Sequence, residues 1–104
     1  IYKIDQKKMT VEQVWSYGKD RGFEWYSPIT SIVEYQKDKD SVFVYSANSG
    51  AKVNDRGAMV SAPNPTLMEF KWNASKPSLE IQLENCAGYQ AMPISVNAAF
   101  APAK

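Results

Sequence analysis

The stretch 67-LMEFKWNASKPSLEIQLE-84 carries the clearest pattern in the chain. Met68, Phe70 and Trp72 alternate with Glu69 and Lys71, and Leu79, Ile81 and Leu83 alternate with Glu80, Gln82 and Glu84. Alternation with a period of two marks strands that have one apolar and one wet face. Between the runs lies NASKP, a set of turn formers ending in a proline that cannot donate to a ladder. The pattern predicts an antiparallel hairpin with Trp72 opposite Leu79, Phe70 opposite Ile81 and Met68 opposite Leu83. The same register sets Lys71 against Glu80 and Glu69 against Gln82. Slipping one strand by a single residue would turn its apolar side chains outward, so the register is expected to be well determined. Burying six large apolar side chains, at roughly 1.5–3 kcal/mol each, outweighs anything the outer charged pair adds.

A second hairpin precedes it. SIVEYQ and SVFVYSA flank KDKD, and a turn at Asp38-Lys39 places Tyr35 opposite Val42 and Val33 opposite Val44. These runs are rich in β-branched and aromatic residues, as strands prefer. Both faces carry apolar groups, so this hairpin is expected to be more central than the C-terminal one, or to be covered on both faces.

At the N-terminus, IYKIDQ reads as a short strand. Thr10 followed by Gln13 matches a capping box, with Met9 as a hydrophobic staple facing Val14. Val11, Val14 and Trp15 share one face at helical spacing, and Gly18 or Gly22 can supply the stop, so a helix is expected over Thr10–Lys19. It would dock Trp15 onto a sheet. FEWYSPIT alternates through Phe23 and Trp25 and then turns at Pro28. NSGAKVNDRG is a loop with a brief strand around Val53, AMVSA a short strand through Met59 and Val60, and APNPT a break. NCAGYQAMP is irregular, and PISVNAAF alternates at Ile94, Val96 and Phe100 as a last strand. The expected class is α+β: a mostly antiparallel sheet, a meander that could be curled or barrel-like, with one short N-terminal helix packed on it. Residues 1–104 form a single expected domain.

Composition narrows the function classes. With 104 residues, 44% hydrophobic and 22% charged, the chain resembles an ordinary globular domain. Its formal net charge of +1 comes from interleaved cations and anions, without the basic stripe of a nucleic-acid binder. No run approaches the ~18 apolar residues of a transmembrane helix. The chain opens on Ile1, as a processed or trimmed polypeptide does, and an exported, extracytoplasmic protein, periplasmic or secreted, is expected. Cys86 is the sole cysteine, a small hydrophobe or a thiol that pairs between chains.

No histidine is present. Serine and cysteine triads and histidine-based zinc sites are therefore unavailable, and no glycine-rich phosphate loop occurs. Glu80 and Glu84 share a strand face at a spacing of roughly 13 Å, beyond the roughly 5–9.5 Å that glycosidic carboxylates need. Asp38 with Asp40, and Asn54 with Asp55, suit turns better than calcium. No metal and no cofactor is expected.

The aromatic residues are the one enrichment: three Trp, six Tyr and four Phe. Trp15, Phe70, Trp72 and Phe100 fit the core by periodicity, whereas Tyr17, Tyr26, Tyr45 and Tyr89 are not all needed there. Tyrosine and tryptophan combine large contact area with a polar handle, as recognition surfaces require. Trp25, Tyr26, Asn54, Arg56 and Tyr89, in the irregular stretches FEWYSP, NSGAKVNDRG and NCAGYQ, are the candidate contacts. The expected function is a non-enzymatic, exported protein-binding module of the inhibitor, immunity or surface-accessory kind. A carbohydrate or small-ligand binder using the same aromatics is the alternative.

Overall fold

The computed structural model describes residues 1–94. Among the described residues, six strands, all antiparallel, form two sheets. β1 (Tyr2–Asp5) and β2 (Thr10–Gln13) make a two-stranded ribbon. β3 (Ser31–Gln36), β4 (Ser41–Ser46), β5 (Thr66–Lys71) and β6 (Leu79–Gln82) make an open meander in that order. A single 3-10 turn, Gly22–Glu24, is the only helical element among the described residues.

The α+β expectation is thus corrected to all-β. The segment expected as a helix from Thr10 begins as β2, with Thr10 opposite Asp5 and Val11 opposite Ile4. The Asp5 carboxylate accepts the backbone N–H of Lys7 and of Lys8 at 3.0 Å, which folds Gln6–Met9 into a tight connection ending at Met9 with φ 52°. The β-branched pair Thr10-Val11 then continues in the strand it prefers. A capping box needs a helix to cap, and local turn chemistry at Asp5 has already committed the backbone elsewhere.

The β3–β4 hairpin has the expected register, with Tyr35 opposite Val42 and Val33 opposite Val44. The β5–β6 hairpin does not. Leu79 lies opposite Glu69 instead of Trp72, and Glu80 lies opposite Met68, a displacement of three residues. The connection is longer than NASKP. A turn closes from the Ala74 N–H to the Lys71 carbonyl, Asn73 sits at φ 60°, and Ser78 returns its N–H to the Glu69 carbonyl at 2.7 Å. An odd displacement exchanges faces. Leu79 and Ile81 therefore leave the side of Met68 and Phe70 and join Phe43, Tyr45 and Leu67, while Glu80 takes their place.

One face of the meander carries the fully buried core: Val42, Val44, Met68 and Phe70. The N-terminal segment covers it through Ile1, Trp15, Tyr17 and Trp25, with Trp72 beside them. The Trp15 ring meets Phe70 edge-on at 5.1 Å and its indole N–H donates to the Ala74 carbonyl at 3.2 Å. Trp15 thus docks on the sheet from an extended segment. The opposite face buries Tyr45, against which the chain after β6 returns. Gly88 donates its N–H to the Ala47 carbonyl at 3.2 Å, and a Cβ there would overlap the Tyr45 hydroxyl. Phe43 and Leu67 on this face are half-buried, and Leu79 and Ile81 are exposed.

Smaller expectations resolve as follows. Phe23–Trp25 form the 3-10 turn and its end, not a strand. Val53 and Met59 form one isolated bridge within an exposed loop, so no strand develops at Met59-Val60. Of PISVNAAF only Pro93 and Ile94 are described, neither in a strand; Val96 and Phe100 lie outside the described residues. Cys86 is a half-buried free thiol.

Two outcomes follow from these faces. Phe70→Ala should destabilise the chain by ~3–5 kcal/mol, and Ile81→Ala by less than ~2 kcal/mol because its side chain is already half in water; denaturant unfolding measures both. Burial raises the Tyr45 phenol above its ordinary value, with Cys86 adding to the shift. A tyrosine shifted upward favours folding while it stays protonated. Its contribution is complete below the unfolded value of ~10 and fades as pH rises through the folded one. Tyrosinate absorbance should show a late-titrating group that Tyr45→Phe removes.

Candidate functional site

The loop from Tyr17 to Thr30 lies between the ribbon and β3 and presents the richest chemistry of the described residues. Its inner side chains are fixed by the core. Tyr17 tilts against Phe70 at 4.6 Å and meets Trp25 edge-on at 5.5 Å. Gly18, at φ 87°, allows the backbone to pass so close to Trp25 that a Cβ would overlap the indole. Gly22 opens the 3-10 turn and accepts the N–H groups of Trp25 and Tyr26.

Arg21 ties this loop to β6. Its guanidinium donates to the Tyr17 hydroxyl at 3.2 Å, to Glu80 at 3.1 Å and to Glu24 at 2.9 Å, and it lies 5.4 Å from the centre of the Trp25 ring. Burial works against the Arg21 charge, but the hydrogen bonds to Tyr17, Glu24 and Glu80 outweigh it and raise its pKa further. Glu80 can be reached because the β5–β6 register turns it to the core face.

The turn aims its other side chains outward. Phe23 lies within the 3-10 turn and Tyr26 just past its end. Their rings meet edge-on at 6.0 Å, yet they are 72% and 57% exposed. With Tyr17, Trp25 and Lys19 they line a groove of about 560 Å³.

Four residues after Tyr26, the chain enters β3 through a strained position. Thr30 has φ 47°, and it is the one β-branched residue with positive φ among the described residues. A branched side chain there is an outlier, of the kind that clusters at functional sites. Buried Asn48 holds it, donating from its side-chain amide to Thr30 Oγ1 at 2.9 Å and to the Ile29 carbonyl at 3.3 Å. The Ser27 hydroxyl accepts the Asn48 N–H at 3.0 Å and donates to the Ile29 carbonyl at 2.7 Å. Thr30 Oγ1 accepts from Asn48, and its own proton has no partner among the described residues.

Of the residues singled out from sequence, the structure brings Trp25 and Tyr26 to one groove. Asn54 and Arg56 stand apart in the exposed Lys52–Val60 loop, where Asn54 Oδ1 accepts the N–H of Arg56 and of Ala58 and organises a turn. Tyr89, 77% exposed, lies after β6 and does not line the groove. Tyr17, Lys19, Phe23 and Thr30 were not singled out. The signal for Phe23 was its position between two glycines and a proline, where an aromatic need not be core. Nothing in one sequence announces a positive φ at threonine.

A fold of this kind hosts many functions, so comparison with known proteins decides the class. Residues 1–90 match the family model for arylsulfotransferase (ASST), and the chain belongs to that family. It is 57% identical over 47 residues to the arylsulfate sulfotransferase AssT of Lelliottia amnigena, and 60% identical over 47 residues to that of Escherichia coli O6:H1 strain CFT073. Each match covers 45% of this chain and 8% of the relative. Membership in a family of enzymes overturns the expected non-enzymatic binding module, with its inhibitor and carbohydrate-binding variants. An extracytoplasmic location accords with the family. Among the described residues no helix is long and apolar enough to cross a membrane.

The Arg21–Glu80 pair is partly solvated, so its direct coupling should be small. A double-mutant cycle with Arg21→Ala and Glu80→Gln is expected to give at most ~1 kcal/mol. Arg21→Ala alone should cost more, since Tyr17 and Trp25 lose their contact as well.

Proposed function

We propose that this chain forms a substrate-facing part of an enzyme that moves a sulfuryl group from an aryl sulfate to an acceptor hydroxyl. The family match over residues 1–90 carries this assignment, and the printed activity of the two relatives supports it. In the transfer, the bond between sulfur and the aryl oxygen breaks and a bond between sulfur and the acceptor oxygen forms. The acceptor loses its proton, and the departing aryl oxygen takes one up.

Charge builds on the sulfuryl oxygens and on the leaving oxygen, so preorganised donors are the most effective aid. This chain has no histidine to act as the base. Its part is to bind and orient. Thr30 fits that role: its hydroxyl proton has no partner among the described residues, and Asn48 fixes its backbone conformation. We assign the enzyme to the periplasm, in keeping with an exported chain.

The test is aryl sulfate turnover by the protein that carries this chain, with 4-nitrophenyl sulfate as donor and phenol as acceptor. Nitrophenol release coupled to formation of phenyl sulfate is expected. Thr30→Val, which keeps the shape and removes the hydroxyl, should lower kcat about 10- to 100-fold, while Thr30→Ser retains most of it. Absence of any sulfated product would overturn the function. An undiminished Thr30→Val enzyme of native circular dichroism would remove Thr30 from the site.

A further inference from the structure

The β1–β2 ribbon is anchored only at its base. The Ile1 carbonyl accepts the N–H groups of Val14 and Trp15 at 3.0 and 3.3 Å, and Trp15 packs on Phe70. Beyond that base neither strand packs on a strand of the larger sheet. The register sets Tyr2 opposite Gln13 and Ile4 opposite Val11, which puts these four side chains on one face. Lys3, Asp5, Thr10 and Glu12 take the other. Tyr2, Ile4 and Val11 are mostly exposed, and Met9 at the tip is 86% exposed. Single apolar residues are ordinary on a surface, but a contiguous strip of them marks a contact.

The strip is flat and narrow. Four side chains offer at most a few hundred Å², against the roughly 800 Å² per partner of a stable protein–protein contact. Its charges favour a different occupant. Lys7 and Lys8 at the tip are exposed and make no ion pair among the described residues. The two carboxylates of the ribbon are placed elsewhere: half-buried Asp5 accepts the N–H groups of Lys7 and Lys8, and Glu12 stands opposite Lys3 on the polar face. An apolar strip with a cationic end and a polar back complements an anionic lipid surface. The headgroups take the lysines, and the upper acyl region takes the strip. Tyr2 suits that boundary, with an apolar ring and a polar hydroxyl. The outer edges of a two-stranded ribbon keep unpaired N–H and C=O groups, so the ribbon rests at the headgroup level and does not enter the hydrocarbon.

We propose that the ribbon is a docking arm that lies flat on an anionic phospholipid surface, with Tyr2, Ile4, Met9 and Val11 against the lipid and Lys7 and Lys8 on its phosphates. Trp15, fixed on Phe70 and on the Ala74 carbonyl, couples the arm to the larger sheet. The arm shares no residue with the Tyr17–Thr30 loop and is independent of the sulfotransferase assignment.

Flotation of the protein that carries this chain tests the arm, with vesicles of equal parts phosphatidylglycerol and phosphatidylcholine against phosphatidylcholine alone. Binding to the anionic vesicles is expected, weakening as salt is raised, with little binding to phosphatidylcholine. Lys7→Gln/Lys8→Gln should weaken it about 10- to 30-fold, at roughly fivefold per lysine. Ile4→Thr/Val11→Thr, which keeps β-branched residues in the strands, should weaken it at least about tenfold. All four side chains are exposed, so circular dichroism should stay native. Wild-type protein that ignores anionic vesicles, or variants that bind them as wild type does, would overturn the arm. So would a dimer, without vesicle binding, that Ile4→Thr/Val11→Thr dissociates in sedimentation, since the strip would then belong to a second copy. Thermal stability lost in that variant, again without vesicle binding, would overturn it in favour of cover by another part of the same polypeptide.

Discussion

The Arg21 guanidinium joins two parts of the chain that no ladder connects: the Tyr17–Thr30 loop and the edge strand β6. Its donors reach Tyr17, Glu24 and Glu80, and its flat face lies over Trp25. Arginine suits such a joint because its fork of donors is planar and its surface stacks on aromatics. The individual ion pairs are weak in water. Their effect comes from convergence, since one side chain orients two rings of the groove floor and marks where β6 must sit.

That position of β6 explains the face exchange in the C-terminal hairpin. The alternation of Leu79, Ile81 and Leu83 specifies that one face is apolar, but not which one. Choosing the face of Met68 and Phe70 assumes that the other is wet. In this sheet it is not: Phe43, Tyr45 and Leu67 make the second face apolar as well. The observed register leaves Leu79 and Ile81 half in water beside Leu67, and it is the one that brings Glu80 to Arg21. A rule that relies on a single buried face loses its force when a sheet has two.

What was legible in the sequence follows the same line. The strands β3, β4 and β5, their antiparallel order and the register of Tyr35 with Val42 were all readable, because short polar turns and β-branched runs act locally. The helix from Thr10 was misread because capping residues were weighed without the turn that Asp5 builds just before them. The site was legible only in part. Trp25 and Tyr26 were singled out as aromatics in an irregular stretch. Their grouping with Tyr17, Phe23 and Lys19 depends on two positive-φ glycines and a 3-10 turn, which composition does not reveal.

The Tyr17–Thr30 loop has a rigid base and free tips, built by separate means. Gly18 and Arg21 anchor its start through close packing and charge. Ser27 and Asn48 anchor its end through a hydrogen-bond network whose buried polar side chains are all paired. Between the anchors, Phe23 and Tyr26 carry no structural duty. Strain at Thr30 is tolerated for the same reason: Asn48, itself buried, overdetermines its conformation. A backbone held off its preferred basin costs of order 1–3 kcal/mol, and a chain built only for stability would replace threonine there with glycine. Its presence is intelligible if the hydroxyl is needed at that point.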